Sequence, residues 1–318
     1  MTLRARPERL ESLHRLGLSF PSPFTLPAWI ASWREAFDPA CTLWVRSFHD
    51  GSGPLGAAVL RVAGGRGVFA GDPEVCDHLD LLVVEGREPE LGAALLAAAR
   101  AEGLRGLDLH DLRPDAVVLT ALVPAARKAG LEVELRERAV LFAMDLPRRW
   151  EDYLAGLDPK ERHEVRRKLR RFEERSAGPL RLVFGGPEAA TAIETFFHLF
   201  RRTRPAKAAF LTEQTATFFR LLALRLPEFR LGVVHVDGAP AAAVCCLDFG
   251  PTRYLYNSAY DAVFAPLGAG MACKILSIRD AVERGIPRYD FLKGDEPYKR
   301  RLGGKPLALF GCRIEFGG

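Results

Sequence analysis

Two stretches 182 residues apart share one grammar. Laid over each other, "EGLRGLDL" (102–109) and "RGIPRYDF" (284–291) put Gly103 on Gly285, Leu104 on Ile286, Leu107 on Tyr289 and Asp108 on Asp290. Each reads as a helix stopped by glycine, a short link, and a strand with an aspartate in its middle. A period near half of a 318-residue chain points to two domains of one fold and excludes a solenoid, whose periods run roughly 20–50 residues. The pattern restarts after Trp150, which sets the expected domains at 1–147 and 148–318. At 48% hydrophobic composition each half can bury its own core.

Both halves mix helix and strand. The first opens with an amphipathic helix around "LPAWIASWREAF", then a hairpin of "CTLWVRSF" and "LGAAVLRVA" across the turn "HDGSGP". A strand "HLDLLVVEG", the helix "PELGAALLAAARAEG" and the strand "LRGLDLHDL" follow. A helix "DAVVLTALVPAARKAG", kinked or split at Pro124, and the strand "EVELRERAVLFAMDL" close it. The second half begins with "LDPKERHEVRRKLRRFEER", where Asp158 caps, Pro159 takes the first helical position and Glu161 can reach back to the cap. Then come a strand "LRLVFG", two helices, and the strands "FRLGVVHV", "PAAAVCCLDFG" and "TRYLYNSAY", the first two joined by the hairpin signal Asp237-Gly238. The helix "GMACKILSIRDAVERG" and the strands "RYDFLKG" and "LALFGCRIEF" complete a mixed α/β chain.

A net charge of +5 favours anionic partners without selecting one. The N-terminal "MTLRARPERLESLHRL" has no apolar signal core, and the longest apolar run, 239–247, is too short for a bilayer, so a soluble cytoplasmic protein without a membrane span is expected. Six cysteines without C-x-x-C spacing and seven histidines without H-E-x-x-H predict neither a disulfide framework nor a metal.

The two copies differ where chemistry belongs. "LGAGM" (267–271) precedes the second helix, whereas the aligned stretch before the first is "EGREP". Two glycines at a helix start let the backbone approach a phosphate, or simply shape a turn. After the second strand stands "GDEPYKRR" (294–301), with two carboxylates, a phenol and three cations, where open α/β sheets collect ligands. The first copy has no such cluster.

Residues 254–303, "YLYNSAYDAVFAPLGAGMACKILSIRDAVERGIPRYDFLKGDEPYKRRLG", resemble the signature region of the GNAT-type acyltransferases of the CelD/BcsL group, associated with cellulose biosynthesis. These are relatives of the FemABX peptidyltransferases, which carry two GNAT-like domains. "LDPKERHEVRRKLRRFEE" and "VDGAPAAA" extend the likeness over 150–310, while the first domain matches only through "LDLLVVEG" and "LDLHDL". The resemblance implies tandem GNAT-like domains, the second catalytic and the first silent, with acetyl-CoA or another acyl-CoA bound where two central strands splay apart. It places the cofactor at Leu267, Gly268, Ala269, Gly270 and Met271, beside Tyr256 and Asn257 of the strand. The family's loop carries Gln or Arg three residues before its first glycine; Ala265 stands there, so the donor stays open between acyl-CoA and the aminoacyl-tRNA of FemABX relatives. The implied mechanism is direct transfer to an amine, needing a base and an acid. Asp295 and Glu296 rank above Asp290 as base; Tyr298, or Tyr254, Tyr256 or Tyr260, which alternate along one strand, is the candidate acid; Lys299 can meet an oxyanion. The acceptor is a small-molecule, saccharide or peptide amine, with tRNA a lesser candidate partner. A non-catalytic binding protein on the same fold is the remaining reading.

The helix 160–175 carries eight Lys/Arg against four Glu. Val165, Leu169 and Phe172 share one face and are expected to be buried, turning the cations outward, either as a solvated face or as a seat for an anionic acceptor, tRNA or a membrane surface.

Overall fold

The computed structural model describes residues 3–176, 178, 180–203 and 208–317. In chain order the elements are β1 (Arg4–Pro7), α1 (Pro27–Phe37), β2 (Leu43–Asp50), β3 (Gly53–Ala63), β4 (Arg66–Phe69), β5 (Leu82–Val83), α2 (Glu88–Ala101), β6 (Gly106–Leu112), α3 (Val123–Lys128), β7 (Glu132–Asp145), α4 (Trp150–Gly156), α5 (Pro159–Glu173), β8 (Arg181–Phe184), α6 (Pro187–Arg201), α7 (Glu213–Arg225), β9 (Phe229–Val236), β10 (Ala239–Phe249), β11 (Thr252–Tyr260), α8 (Ala269–Glu283), β12 (Arg288–Lys293), α9 (Pro297–Arg301) and β13 (Lys305–Glu315). The chain divides into two compact units, Met1–Val140 with Leu307–Gly318, and Leu141–Pro306.

In the first unit the strands run β1-β2-β3-β4-β6-β13, then residues 132–140 of β7, with β5 on β3. The β4–β6 ladder is parallel and has three pairs, ending at Val68↔Asp108. Beyond it the chain packs on itself: Ala70, Val75, Cys76, Leu79 and Leu81 are buried, and the Leu79 N–H donates to the Asp111 carbonyl at 3.4 Å. Asp111 itself has φ +58°, a bend in β6. The expected strand "HLDLLVVEG" pairs only at Leu82–Val83. Asp80 is diverted: its carboxylate accepts the N–H groups of Val117 (2.6 Å) and Val118 (3.1 Å) at the start of the next helix. That helix is split as Pro124 predicts, a wide π turn over Val118–Leu122 leading into α3.

In the second unit residues 141–145 of β7 stand at one edge, followed by β12-β11-β10-β9-β8. Arg253 of β11 reaches α8, bonding Asp280 (2.7 Å) and the Ser277 carbonyl (3.1 Å), while Tyr256 lies against Phe219 of α7 at 5.3 Å, so helices cover both faces. The phenylalanines of α6 and α7 form the core on the second of these faces, Phe196 and Phe219 stacking at 5.7 Å. Asp237 (φ +52°) and Gly238 (φ +82°) make the expected tight β9–β10 turn. Val165, Leu169 and Phe172 of α5 are buried as the spacing predicts, and α5 packs on α8. Asp158 does sit at the cap of α5, but its side chain makes no capping bond; Pro159 presets the first turn, and Arg162 ties it to the Leu157 carbonyl (3.2 Å).

The 182-residue offset survives in three dimensions. Tyr254↔Asp290 is the last of three parallel β11–β12 pairs, just as Val68↔Asp108 is the last of β4–β6. Asp290 is 1% exposed and its Oδ1 accepts the Leu292 N–H at 2.8 Å, fixing the bend where Leu292 takes φ +62°. In the second copy the repeated aspartate, Asp290, therefore shapes the strand.

Candidate active site

Past Tyr254 and Asp290 the two strands part. At Leu292 β12 bends and stays with β7, while β11 continues on β10 to Tyr260. Tyr254 pairs with Leu247 and Tyr260 with Ala242, so seven residues of β11 run against six of β10, with Tyr256 extra at a bulge. The tyrosines consequently do not share one face, contrary to their even spacing: the bulge flips the strand. Tyr256 points toward α7, and Tyr260 toward the start of α8, where a Cβ on Gly270 would meet its ring at 3.0 Å.

The loop between β11 and α8 is a single 3-10 turn, Ala262–Leu267, capped by Asp261, whose carboxylate accepts the Val263 N–H (3.0 Å) and pairs with Arg202. Gly268 follows in the left-handed region at φ +70°, which a side chain disfavours, and α8 begins. The Gly268 carbonyl takes the N–H groups of Met271 (3.0 Å) and Ala272 (2.9 Å). Ala269 and Gly270 supply the first-turn amides that a helix leaves unused, at the positive end of its dipole. Both glycines are thus required, one for its backbone angle and the other for Tyr260.

At the sixth position of α8 stands Lys274, which the sequence reading passed over. Its ammonium donates to the Gly270 carbonyl at 3.2 Å and lies 5.0 Å over the ring of Tyr298. Burial lowers its pKa, partly offset by Cys273 and Glu296. The available signal was helical spacing: Gly270 and Lys274 are i and i+4, hence stacked on one face. Tyr298 is half-buried against Phe291 at 6.2 Å, and burial together with Glu296 raises its phenol well above the ordinary range.

The remaining members of "GDEPYKRR" separate. Lys299 is 2% exposed; its ammonium donates to the carbonyls of Leu292 (3.0 Å), Gly294 (3.1 Å) and Lys293, and Glu296 pairs with it at 2.9 Å. Its three protons hold the carboxyl end of β12. Asp295 turns to solvent and pairs with Arg300 at 2.9 Å, whose guanidinium covers Phe142. Asn257 bonds the next backbone amide, Ser258 N–H, at 2.8 Å. The structure therefore brings Tyr260, Gly270, Lys274, Tyr298, Glu296 and Lys299 into one chain of contacts, and leaves Asp295 outside it.

Residues 159–300 match the family described as an acetyltransferase (GNAT) domain. A search of the curated proteins found no match. Among solved structures, the chain is similar to the crystal structure of FemX at 14% identity, over 97% of this chain and 96% of that one, with a TM-score of 0.66. It is similar to the C-terminal domain (DUF2156) of a putative lysylphosphatidylglycerol synthetase from Agrobacterium fabrum at 12% identity, covering 97% and 92%, TM-score 0.58. A tandem GNAT protein from the clavulanic acid biosynthesis pathway aligns over 100% and 99% at 15% identity, TM-score 0.51. The fold is thus the tandem GNAT-like one that the resemblance implied, in keeping with the two domains expected from the repeat. With its GNAT domain the chain is an acyltransferase. No helix among the described residues is long and apolar enough to cross a membrane.

Proposed function

We propose that the chain transfers an acyl group from an acyl-CoA, acetyl-CoA being the simplest, to an amine, and does so in the second unit. The observation that carries this reading is the gap between β11 and β12, with the glycine-started helix at one side and the Tyr298–Glu296 turn at the other. The first unit argues for the same assignment by contrast. There the stretch after β4 is packed with buried apolar residues, whereas none of Ala262–Leu267 is buried.

The residues suit the donor. The amides of Ala269 and Gly270 and the dipole of a 15-residue helix favour a pyrophosphate, and the space beside Gly268 is open. No cation stands at Ala265, so the backbone carries that task. When bound, the acyl-CoA supplies an activated carbonyl. Glu296, exposed and steadied by Lys299, takes the proton of the incoming ammonium. Tyr298 stays protonated at neutral pH and holds the proton for the departing thiolate. Tyr256 and Asn257 form the strand side of the gap, and a small-molecule, saccharide or peptide amine is the acceptor. The narrower CelD/BcsL likeness rests on residues 254–303 of the sequence. Calorimetry with acetyl-CoA and CoA tests the donor: binding in the micromolar to millimolar range is expected, and its absence in a folded sample sinks the reading.

The likeness to FemX over 97% of the chain, together with Ala265, favours a second reading with aminoacyl-tRNA as donor. A salt-sensitive gel shift with charged tRNA but not with an unrelated RNA distinguishes it.

A further inference from the structure

Two features of the second unit lie side by side, next to the site just described. The first is the outward face of α5. With about 100° per residue, Lys160, His163, Arg166, Arg167, Arg170 and Arg171 fall in one arc opposite the buried Val165, Leu169 and Phe172. All six are exposed. Arg167 is bonded to Glu164, but Lys160, Arg166, Arg170 and Arg171 have no carboxylate partner among the described residues. The second feature is the turn Ala262–Leu267, "AVFAPL", which packs against α5. It has no polar side chain and no buried residue, and Val263 is 67% exposed. Exposed Arg202, paired with Asp261, lies beside it, its carbonyl reached by the Ala262 N–H.

Single exposed apolar residues are ordinary, but an unbroken run beside unpaired cations needs a partner that uses both. A nucleic-acid backbone would engage the arginines and leave the aliphatic side chains in water. A bilayer with anionic headgroups engages both, through charge at its surface and apolar burial just beneath. We propose that the second unit docks on an anionic lipid surface through the outward cations of α5 and the Ala262–Leu267 turn.

The test is co-sedimentation of the full chain with vesicles of phosphatidylcholine alone or mixed with phosphatidylglycerol. Binding to the mixed vesicles only, declining with salt, is expected. The double change Arg166→Glu with Arg170→Glu is expected to weaken it about ten-fold or more, and Val263→Asp to weaken it as well, with circular dichroism and melting unchanged. Equal binding to both vesicles, or Val263→Asp binding as tightly as the parent, overturns the proposal. So does tRNA binding tighter than vesicle binding and indifferent to Val263→Asp, which assigns the face to nucleic acid. Calorimetric titration with CoA, for which neither Val263 nor the α5 arginines have been given a role, reports separately on the donor.

Discussion

Lys299 and Tyr298 are neighbours in a charged stretch that reads as one cluster, yet burial gives them different work. The ammonium of Lys299 is directed at the last two carbonyls of β12 and at that of Gly294 just past it, beside Glu296. Lys299→Met leaves those acceptors unmet, and a loss of about 3 kcal/mol in urea unfolding is expected, with a smaller effect on donor affinity. Tyr298 is the opposite case. Tyr298→Phe keeps the ring under Lys274 and removes only the proton, so kcat with any accepted amine is expected to fall about 100-fold while calorimetric donor affinity stays put. That these two would part was not legible, because residue types and spacing do not report which way a side chain turns. Lys274 was missed for a related reason: a lone lysine in a helix has the composition of a solvated face, and only its neighbours show that it is half-buried.

Among the elements, pattern served well where burial follows a period. The α5 face, the β9–β10 hairpin and the break at Pro124 all follow from local chemistry. It failed where one residue changes register without changing composition. Tyr256 is such a residue, since "TRYLYNSAY" alternates perfectly on paper and the bulge appears only against β10. "HLDLLVVEG" failed because Asp80 finds a better use at a helix start than in a ladder. At the start of α8 the packing of Gly270 on Tyr260 gives a sharp expectation. Gly270→Ala pushes a methyl against the ring at 3.0 Å. It is expected to cost about 1–3 kcal/mol by thermal unfolding and to weaken CoA binding, with Tyr260→Ala in the same chain restoring part of both.

For the molecule as a whole, two copies of one pattern were readable from Gly103 and Gly285, Asp108 and Asp290, because glycine stops and strand aspartates are tied to backbone shape. Stability against pH belongs to this scale. Burial raises the Asp80 carboxyl to about 7, outweighing the backbone N–H bonds from Val117, Val118 and Leu81 that favour its charge. The folded state thus binds this proton more tightly than the unfolded chain, so its contribution is full below the ordinary carboxylate range and is lost as pH rises toward 7. Unfolding midpoints in urea are expected to decline between pH 4 and pH 7, and Asp80→Asn to flatten that slope.

The last strand of the chain belongs to the first unit: β13, from Leu307 onward, lies beside β6, while the second unit takes residues 141–145 of β7 for its edge. A ribosome makes these pieces in the wrong order for sequential assembly. When residues 1–140 have emerged, the flank of β6 that β13 will occupy is bare, and it stays bare until the C-terminal strand leaves the exit tunnel. The domain translated first is therefore the one finished last, and a stop codon before Leu307 damages the half of the protein farthest from it in sequence.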